Sequence, residues 1–430
     1  MKSGLYARLR WLIMIILFIG GGISYLDRAA LSVAAPLLSK DLGLDPAQLG
    51  IVFSCFFWGY APFCFVGGWA SDKIGPKNVF TIAMTVWSVF CGLTAAATGI
   101  VTLVIVRIIF GTGEGPFSST ANKVVANWFP RHEQASAIGI ANAGQPLGAA
   151  LAGPLVGMIA LAVGWRASFI VIAAVGLLWV AGWVLLMKDR PHEHRLLRDV
   201  PPEELAEEAP PPPPPATIPL GTYLRRPAIL ATGFAFFGYA YILYFFLSWF
   251  PSYLTMARHL SVHDMAFTNA IPWLVGFLGL ASSGFVCDAV FRRTGNALFS
   301  RKLILVGSLA IAAVCVALAG VASTIAMVVT LMAVSVFFMY LTASTYFAIV
   351  LDTVEGARVG AVGGFVHLIA NCAGIVAPMA TGFLVQATGT FTSAFILTGA
   401  IAVLGALSVA VFVRRPAPET RAEEGVAVAL

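Results

Sequence analysis

The chain has 430 residues, 59% hydrophobic and 11% charged, with a formal net charge of +6. Soluble globular chains carry about 25% charged residues, so this composition excludes a water-soluble globular protein and points to an all-α, polytopic membrane protein. Its six cysteines (Cys55, Cys64, Cys91, Cys287, Cys315 and Cys372) stand singly in apolar stretches, without CxxC or Cys/His spacing, which speaks against a disulfide framework or a metal site.

A membrane-crossing helix needs about 20 apolar residues. Twelve segments qualify: 11–36, 47–69, 78–98, 100–121, 135–161, 165–187, 227–250, 265–287, 302–322, 324–350, 359–385 and 391–413. Lys2, Arg8 and Arg10 ahead of the first run resemble the start of a signal peptide. The run outlasts the usual apolar region, however, and no small-residue cleavage site precedes Asp27, so it is read as the first span. Thr98-Gly99 and Ala322-Ser323 are read as turns that separate neighbouring spans.

Twelve spans put both ends of the chain on one side. Of the 26 Lys and Arg, 21 fall in the terminal tails and in the loops on that side. Lys40, Arg166 and Arg258 lie on the other side, and Arg28 and Arg107 lie inside spans. Basic loops remain in the cytoplasm, so both termini are expected there, in a cell inner (plasma) membrane. The positive charge then serves topology and contact with anionic lipid rather than nucleic acid.

The longest hydrophilic interruption, 188–226, contains PPEELAEEAPPPPPPA with six consecutive prolines, Pro210–Pro215. Such a composition builds no core and reads as a disordered or polyproline linker on the cytoplasmic side. It separates a six-helix bundle over 1–187 from a second over 227–413, with a tail at 414–430. The halves echo each other. GGWASDKIGPKN after the second span and GFVCDAVFRRTG after the eighth both place a glycine (Gly68, Gly284), an aspartate four residues on (Asp72, Asp288), then bases and another glycine. Parallel six-helix repeats carry this kind of internal symmetry.

Ionisable residues within spans are costly and are functional candidates by default. Four stand clear: Asp27, Arg28, Arg107 and Glu114, all in the first half and summing to no net charge. Tyr25, Arg28 and Ser32 share a helical stripe, whereas Asp27 is turned about 100° toward a neighbouring helix. Arg107 and Glu114 lie on one face, about 10 Å apart along the axis. Gly111, Gly113 and Gly115 around Glu114 permit close helix approach. A guanidinium binds a carboxylate through a planar fork, so Arg28 facing a central cavity would hold an anion. Tyr25, Tyr60 and Gln145 would offer it hydroxyl and amide contacts. A carboxyl in a dry, changing environment can exchange a proton near neutrality, which suits Asp27 or Glu114, with Arg107 tuning whichever acid it approaches.

The loop GGWASDKIGPK resembles the signature of the major facilitator superfamily. The twelve spans, the central loop and the second copy of the signature extend that resemblance over the chain. Within the superfamily, YLDRAALSVA in the first span and RIIFGTGEGP in the fourth resemble the anion:cation symporter family. That family includes bacterial galactonate, hexuronate and glucarate carriers and the animal sialic acid exporter. The resemblance implies two six-helix bundles in the major facilitator fold. It also implies sugar-acid contact at Tyr25, Arg28, Tyr60 and Gln145, protonation at Asp27 and Glu114, and coupling to both through Arg107.

The second half departs from the pattern. GGFVH, residues 363–367, puts His367 where the sugar-acid carriers usually have asparagine, with Asn371 one turn later as a replacement amide. Phe347 stands in place of a tryptophan common in the galactonate branch, and Ser344 is retained. Sugar acids, aromatic acids and small dicarboxylates all stay open as substrates. Gly68, Asp72 and Lys73 are read as a cytoplasmic gate. The small residues from Gly144 to Gly157 are read as a packing face with a proline bend, and the aromatic run 239–250 as an interfacial and packing surface.

The expected activity is therefore proton-coupled symport of organic carboxylates by alternating access, in a monomer without cofactor or metal. A drug/proton antiporter is disfavoured by the buried Arg28. A metabolite sensor signalling through the proline-rich linker is the rival from another class. An enzyme is not expected, since no nucleophile–base pair, metal-ligand cluster or phosphate-cradling loop is present.

Overall fold

The computed structural model describes residues 2–197 and 217–414, side chains excepted at 2–4, 131, 132 and 135. The proline run Pro210–Pro215 and the tail from 415 lie outside the described residues. The first half comprises α1 (Lys2–Leu42), α2 (Pro46–Ile74), α3 (Pro76–Leu93), α4 (Ile100–Glu114), α5 (Phe117–Trp128), α6 (Arg131–Val163) and α7 (Trp165–Leu186). A short α8 (Leu220–Leu224) leads into α9 (Pro227–Met256), α10 (Val262–Thr294), α11 (Ala297–Ala319), α12 (Ile325–Leu341), α13 (Thr345–Thr353), α14 (Val359–Thr388) and α15 (Thr392–Phe412). Among the described residues, twelve stretches are long and apolar enough to cross a membrane, the fourth and tenth each built from two α-helices.

Those two breaks are absent from the sequence reading, which treated 100–121 and 324–350 as continuous spans. Gly115-Pro116 divides α4 from α5, and Thr342–Ser344 divides α12 from α13. Pro116 has no N–H to continue the ladder. In the tenth span, the Thr342 hydroxyl donates to the Met339 carbonyl at 2.8 Å and Thr345 Oγ1 to the Thr342 carbonyl at 2.7 Å. Side chains there take over acceptors that the next helical turn would otherwise use.

Helix ends are set by local chemistry. Asp45 and Gln48 form a reciprocal capping box ahead of α2, with Pro46 in its first turn. At Gly75, between α2 and α3, φ is +84°. A side chain there would be strained, and its Cβ would fall 2.5 Å from the Asp189 carboxylate, which accepts from the Lys77 N–H at 2.7 Å. The first residues after α7 are thereby tied to the loop between α2 and α3. Past the linker, Glu355 accepts from the Thr217 hydroxyl and from the Thr217 and Ile218 N–H groups, which hold its carboxyl below the usual range.

The two halves meet along α6–α10, α2–α14 and α1–α9. The approaches cluster at the end of the molecule that is poor in bases. A Cβ on Gly50 would come 2.8 Å from the Pro378 carbonyl, and one on Gly153 2.2 Å from the Ala266 carbonyl. Ser54 Oγ donates to the Ile375 carbonyl at 2.8 Å, Trp249 Nε1 to the Pro378 carbonyl at 2.9 Å, and Phe53 packs edge-on to Trp249. Toward the base-rich end the same helices are largely uncovered. α2 is mostly exposed from Pro62 on, α10 is not buried past Ser283, and Cβ atoms at Gly139 and Gly364 would meet nothing within 4 Å. The outer flanks expose large apolar side chains such as Phe65, Leu178, Leu185 and Phe285, which suits lipid rather than water.

The small-residue face of α6 lets α1 come into backbone contact. A Cβ on Gly144 would lie 2.1 Å from the Phe18 carbonyl, and one on Gly148 1.9 Å from the Gly22 carbonyl. α6 runs through both Pro146 and Pro154. The aromatic run 239–250 is buried throughout. It belongs to the core of α9 and not to an interfacial belt. Gly148→Ala is expected to force α1 from α6 at a cost of about 1–3 kcal/mol, read as a lowered melting temperature of the detergent-solubilised protein. Gly182→Ala, where a Cβ meets nothing within 4 Å, is the control and should hold or raise it.

Candidate substrate and proton site

The four intramembrane charges sit midway along the first and fourth spans, with Glu114 the last residue of α4, and all are buried. Glycines put them within reach of one another. Cβ atoms on Gly111 and Gly115 would fall 2.1 Å from the Phe56 carbonyl and 2.6 Å from the Tyr60 carbonyl, so α2 touches α4 on either side of Glu114. A Cβ on Gly113 would fall 2.6 Å from the Trp87 main-chain nitrogen, so α3 does the same on another face. No larger residue could replace these glycines without parting the helices that carry the site.

Arg28 does not stand free in a cavity, as the sequence suggested. Its Nε donates to Glu114 Oε1 at 2.6 Å, and Ser24 Oγ donates to the same oxygen at 2.5 Å. Ser24 and Arg28 are one turn apart on α1, so both reach a single carboxylate on α4. The guanidinium lies 4.5 Å from the Tyr60 ring centroid, 5.0 Å from Phe56 and 5.2 Å from Tyr25. Such cation–π contacts are worth about 2 kcal/mol when desolvated. Ser32, on the same stripe, is turned back to the Ala29 carbonyl and takes no part.

Asp27 faces the seam between α1 and α3. Its Oδ2 accepts from Trp87 Nε1 at 2.6 Å. Arg107 lies over Phe110 at 4.6 Å and over Phe56 at 5.1 Å, so the Phe56 ring is shared by both guanidiniums. Among the described residues, Arg107 bonds neither acid directly. Within these charged groups, three buried atoms have no hydrogen-bond partner among the described residues: Asp27 Oδ1, Glu114 Oε2 and Arg107 Nε. Each acid therefore keeps one oxygen open to a proton.

Gln145 on α6 lies beside Gly21 and within 3.5 Å of Asn142 Oδ1. Gly21, Tyr25 and Arg28 share a face of α1, so Gln145 stands on the same side as the Arg28 stripe. In the second half, Asn371 Nδ2 donates to His367 Nδ1 at 2.7 Å and to the His367 carbonyl at 3.0 Å. His367 Nδ1 is then an acceptor, and the imidazole is neutral with its proton on Nε2. Tyr244 donates to Asn371 Oδ1 at 3.4 Å and packs on Phe57, which packs on Tyr60. That chain joins the His367–Asn371 pair to the Arg28 cluster. Ser344, in the break of the tenth span, and Phe347, just past it, are exposed. Ser344 pairs with Ser283 at 2.9 Å, and Phe347 lies against Gly363. Among the described residues neither is bonded to the Arg28 cluster.

Gly68, Asp72 and Lys73 lie at the base-rich end. Asp72 pairs with Lys123 of the same half at 2.6 Å, Lys73 lies over Trp69, and Gly68 faces Ser119. Sequence reasoning missed Ser24, Phe56, Trp87 and Tyr244. A tryptophan or serine in an apolar span gives no sign of its partner.

The sequence model of the Major Facilitator Superfamily matches residues 17–354 and 295–428. The chain belongs to this superfamily. Its relatives include a hexuronate transporter of Bacillus subtilis (strain 168), 49% identical over 404 residues and 94% of each chain. The probable sulfoacetate transporter SauU of Cupriavidus necator is 34% identical over 90% of each chain. A D-galactonate transporter of Escherichia coli O6:H1 is 32% identical over 93% of this chain and 95% of that one. The solved structure of a bacterial homolog to the human lysosomal transporter Spinster superposes with a TM-score of 0.71 at 16% identity, covering 94% of this chain and 95% of that one, and shows the same fold. The superfamily consists of transporters, not enzymes, and the hexuronate and galactonate transporters are among the carriers to which the resemblance pointed.

The Asp27–Trp87 bond is testable apart from transport. Trp87→Phe and Asp27→Ala should each lower the melting temperature. The double variant should fall short of their sum, because leaving one buried partner unpaired costs about 1–3 kcal/mol. Additive losses would show that the bond contributes no stability.

Proposed function

We propose that the protein is a proton-coupled symporter of sugar acids, hexuronates first among them, working by alternating access between its two halves. The buried Arg28–Glu114 pair carries this reading, together with near half identity to a hexuronate transporter. A substrate carboxylate is chemically equivalent to the Glu114 carboxylate, so the two compete for one guanidinium. Protonation of Glu114 weakens its hold on Arg28 and favours the incoming anion. Anion binding in turn leaves Glu114 without its counter-charge and favours its proton. The two ligands raise each other's affinity, and this coupling is reciprocal. The site's four charges cancel, so one proton with one monoanion keeps it neutral at the midplane, where an unbalanced charge is costly. Asp27, held by Trp87 with one oxygen open, is a second proton acceptor.

In this reading the base-rich end is cytoplasmic, as the distribution of Lys and Arg supports, in the inner membrane. The halves pressed together at the base-poor end correspond to a state closed to the outside and open to the cytoplasm. Gly68, Asp72 and Lys73 would line the face that closes in the opposite state. Tyr25, Tyr60 and Gln145 contact the sugar from the first half, and His367, Asn371, Ser344 and Phe347 from the second. A single copy suffices, since the site lies within one chain.

Proteoliposomes test the coupling. An imposed inward proton gradient should drive accumulation of a hexuronate. Glu114→Gln should retain substrate binding and counterflow while losing gradient-driven accumulation. Arg28→Lys, which keeps the charge but lacks the planar fork, should weaken binding by at least about tenfold. Wild-type uptake indifferent to the gradient would sink the coupling.

A further inference from the structure

Among the described residues, two buried hydroxyls of the second half have no hydrogen-bond partner, Ser252 Oγ and that of Tyr340, and only the second belongs to a ring that packs on Tyr239. Tyr340 is 3% exposed, and its hydroxyl has no hydrogen-bond partner among the described residues. Three hydroxyls nearby are engaged: Tyr244 with Asn371, Tyr346 with Thr342 at 3.1 Å, and Ser344 with Ser283. A buried hydroxyl left unpaired loses its hydration without return, and phenylalanine would fill the same space without that cost.

The ring is fixed from two sides. A Cβ on Gly276 of α10 would lie 2.9 Å from Tyr340 Cδ2, so that helix lies against the ring, and Tyr239 packs edge-on at 6.4 Å. The rotamer, and with it the direction of the hydroxyl, is set by packing. Tyr340 lies 15 residues in from Ile325, and Arg28 lies 14 residues in from Leu42. At about 1.5 Å per residue the two stand at the same depth. Trp273, one turn before Gly276 on α10, packs edge-on to Tyr25 at 6.4 Å, and Tyr25 lies against Arg28, so the helix that holds the Tyr340 ring also reaches the Arg28 cage. A carboxylate seated on Arg28 thus has this donor at its own level in the opposite half.

We infer that Tyr340 is a specificity-determining residue: its hydroxyl hydrogen-bonds one hydroxyl of the bound sugar acid and favours polyhydroxylated acids over their deoxy counterparts. The inference rests on the sugar-acid reading above and goes beyond it by assigning this contact. A site built to bond a substrate hydroxyl discriminates strongly against the analogue that lacks it, because the site's own polar group is then left unpaired.

The test is calorimetric binding of D-glucuronate, D-galacturonate and their monodeoxy analogues to the purified wild-type protein and to Tyr340→Phe. In the variant, affinity for the parent hexuronate that binds should fall about five- to tenfold. One monodeoxy analogue should bind wild type and variant equally, and the melting temperature of the ligand-free variant should hold or rise. Unchanged affinity for the parent would overturn the assignment. So would an equal loss for the parent and every analogue, which marks a packing role, or a water-satisfied hydroxyl whose removal lowers only the melting temperature. If the wild type binds neither hexuronate nor any analogue, the sugar-acid reading itself fails, and the assignment with it.

Discussion

A guanidinium and a carboxylate buried at the middle of a membrane protein constrain what surrounds them. Desolvating two such charges is repaid only by close geometry and further hydrogen bonds. The structure supplies both to Arg28 and Glu114: a direct bond, a serine hydroxyl on the same oxygen, and three aromatic faces around the cation. The glycines of α4 follow from that requirement. They bring α2 to backbone contact, which is what places Phe56 and Tyr60 over the guanidinium. Function, in the proposed reading, uses the residual imbalance. Glu114 has a second oxygen with no partner, so the pair is stable while open to exchange.

Asp27 and Arg28 are neighbours in sequence and opposites in environment. One turns into a seam closed by an indole N–H, and the other into an aromatic cage facing α2 and α4. Adjacent helical positions differ by about 100°, so two charges with separate surroundings fit within two residues. Phe56 connects these surroundings, because its ring lies against both Arg28 and Arg107. Moving either guanidinium changes what the other rests on, and coupling of this kind needs no ion pair between the acids and Arg107.

The twelve spans were legible because apolar length is a local property of the sequence. So were the buried charges, the close-packing glycines and the His367–Asn371 spacing, which are readable within one helix. The pairings across helices were not. Arg28 and Glu114 are 86 residues apart, and helical periodicity fixes only the face on which each stands. Asp27 finds Trp87 60 residues away, and nothing distinguishes that tryptophan from the others in apolar spans. The breaks in the fourth and tenth spans escaped because both sides of each are apolar. Pro116 was visible, but its effect depends on what receives the freed backbone groups. The aromatic run of α9 was read as both interfacial and packing surface, and only the packing part holds, because composition cannot tell a lipid interface from an inter-helix core.

Where α2 crosses α14, the contact is made by main chain. Gly50 lies against Gly382 and the Pro378 carbonyl, and Gly382 lies against the Pro46 carbonyl. Interdigitated side chains would form a ratchet, in which any rotation must lift one residue out of its hole before the next can enter. Two smooth glycine surfaces form a bearing. In a carrier whose halves rock about this crossing, the pivot itself would present little roughness, and the barrier would reside in what must be undone elsewhere: the aromatic contacts and hydrogen bonds flanking the hinge on the closed side.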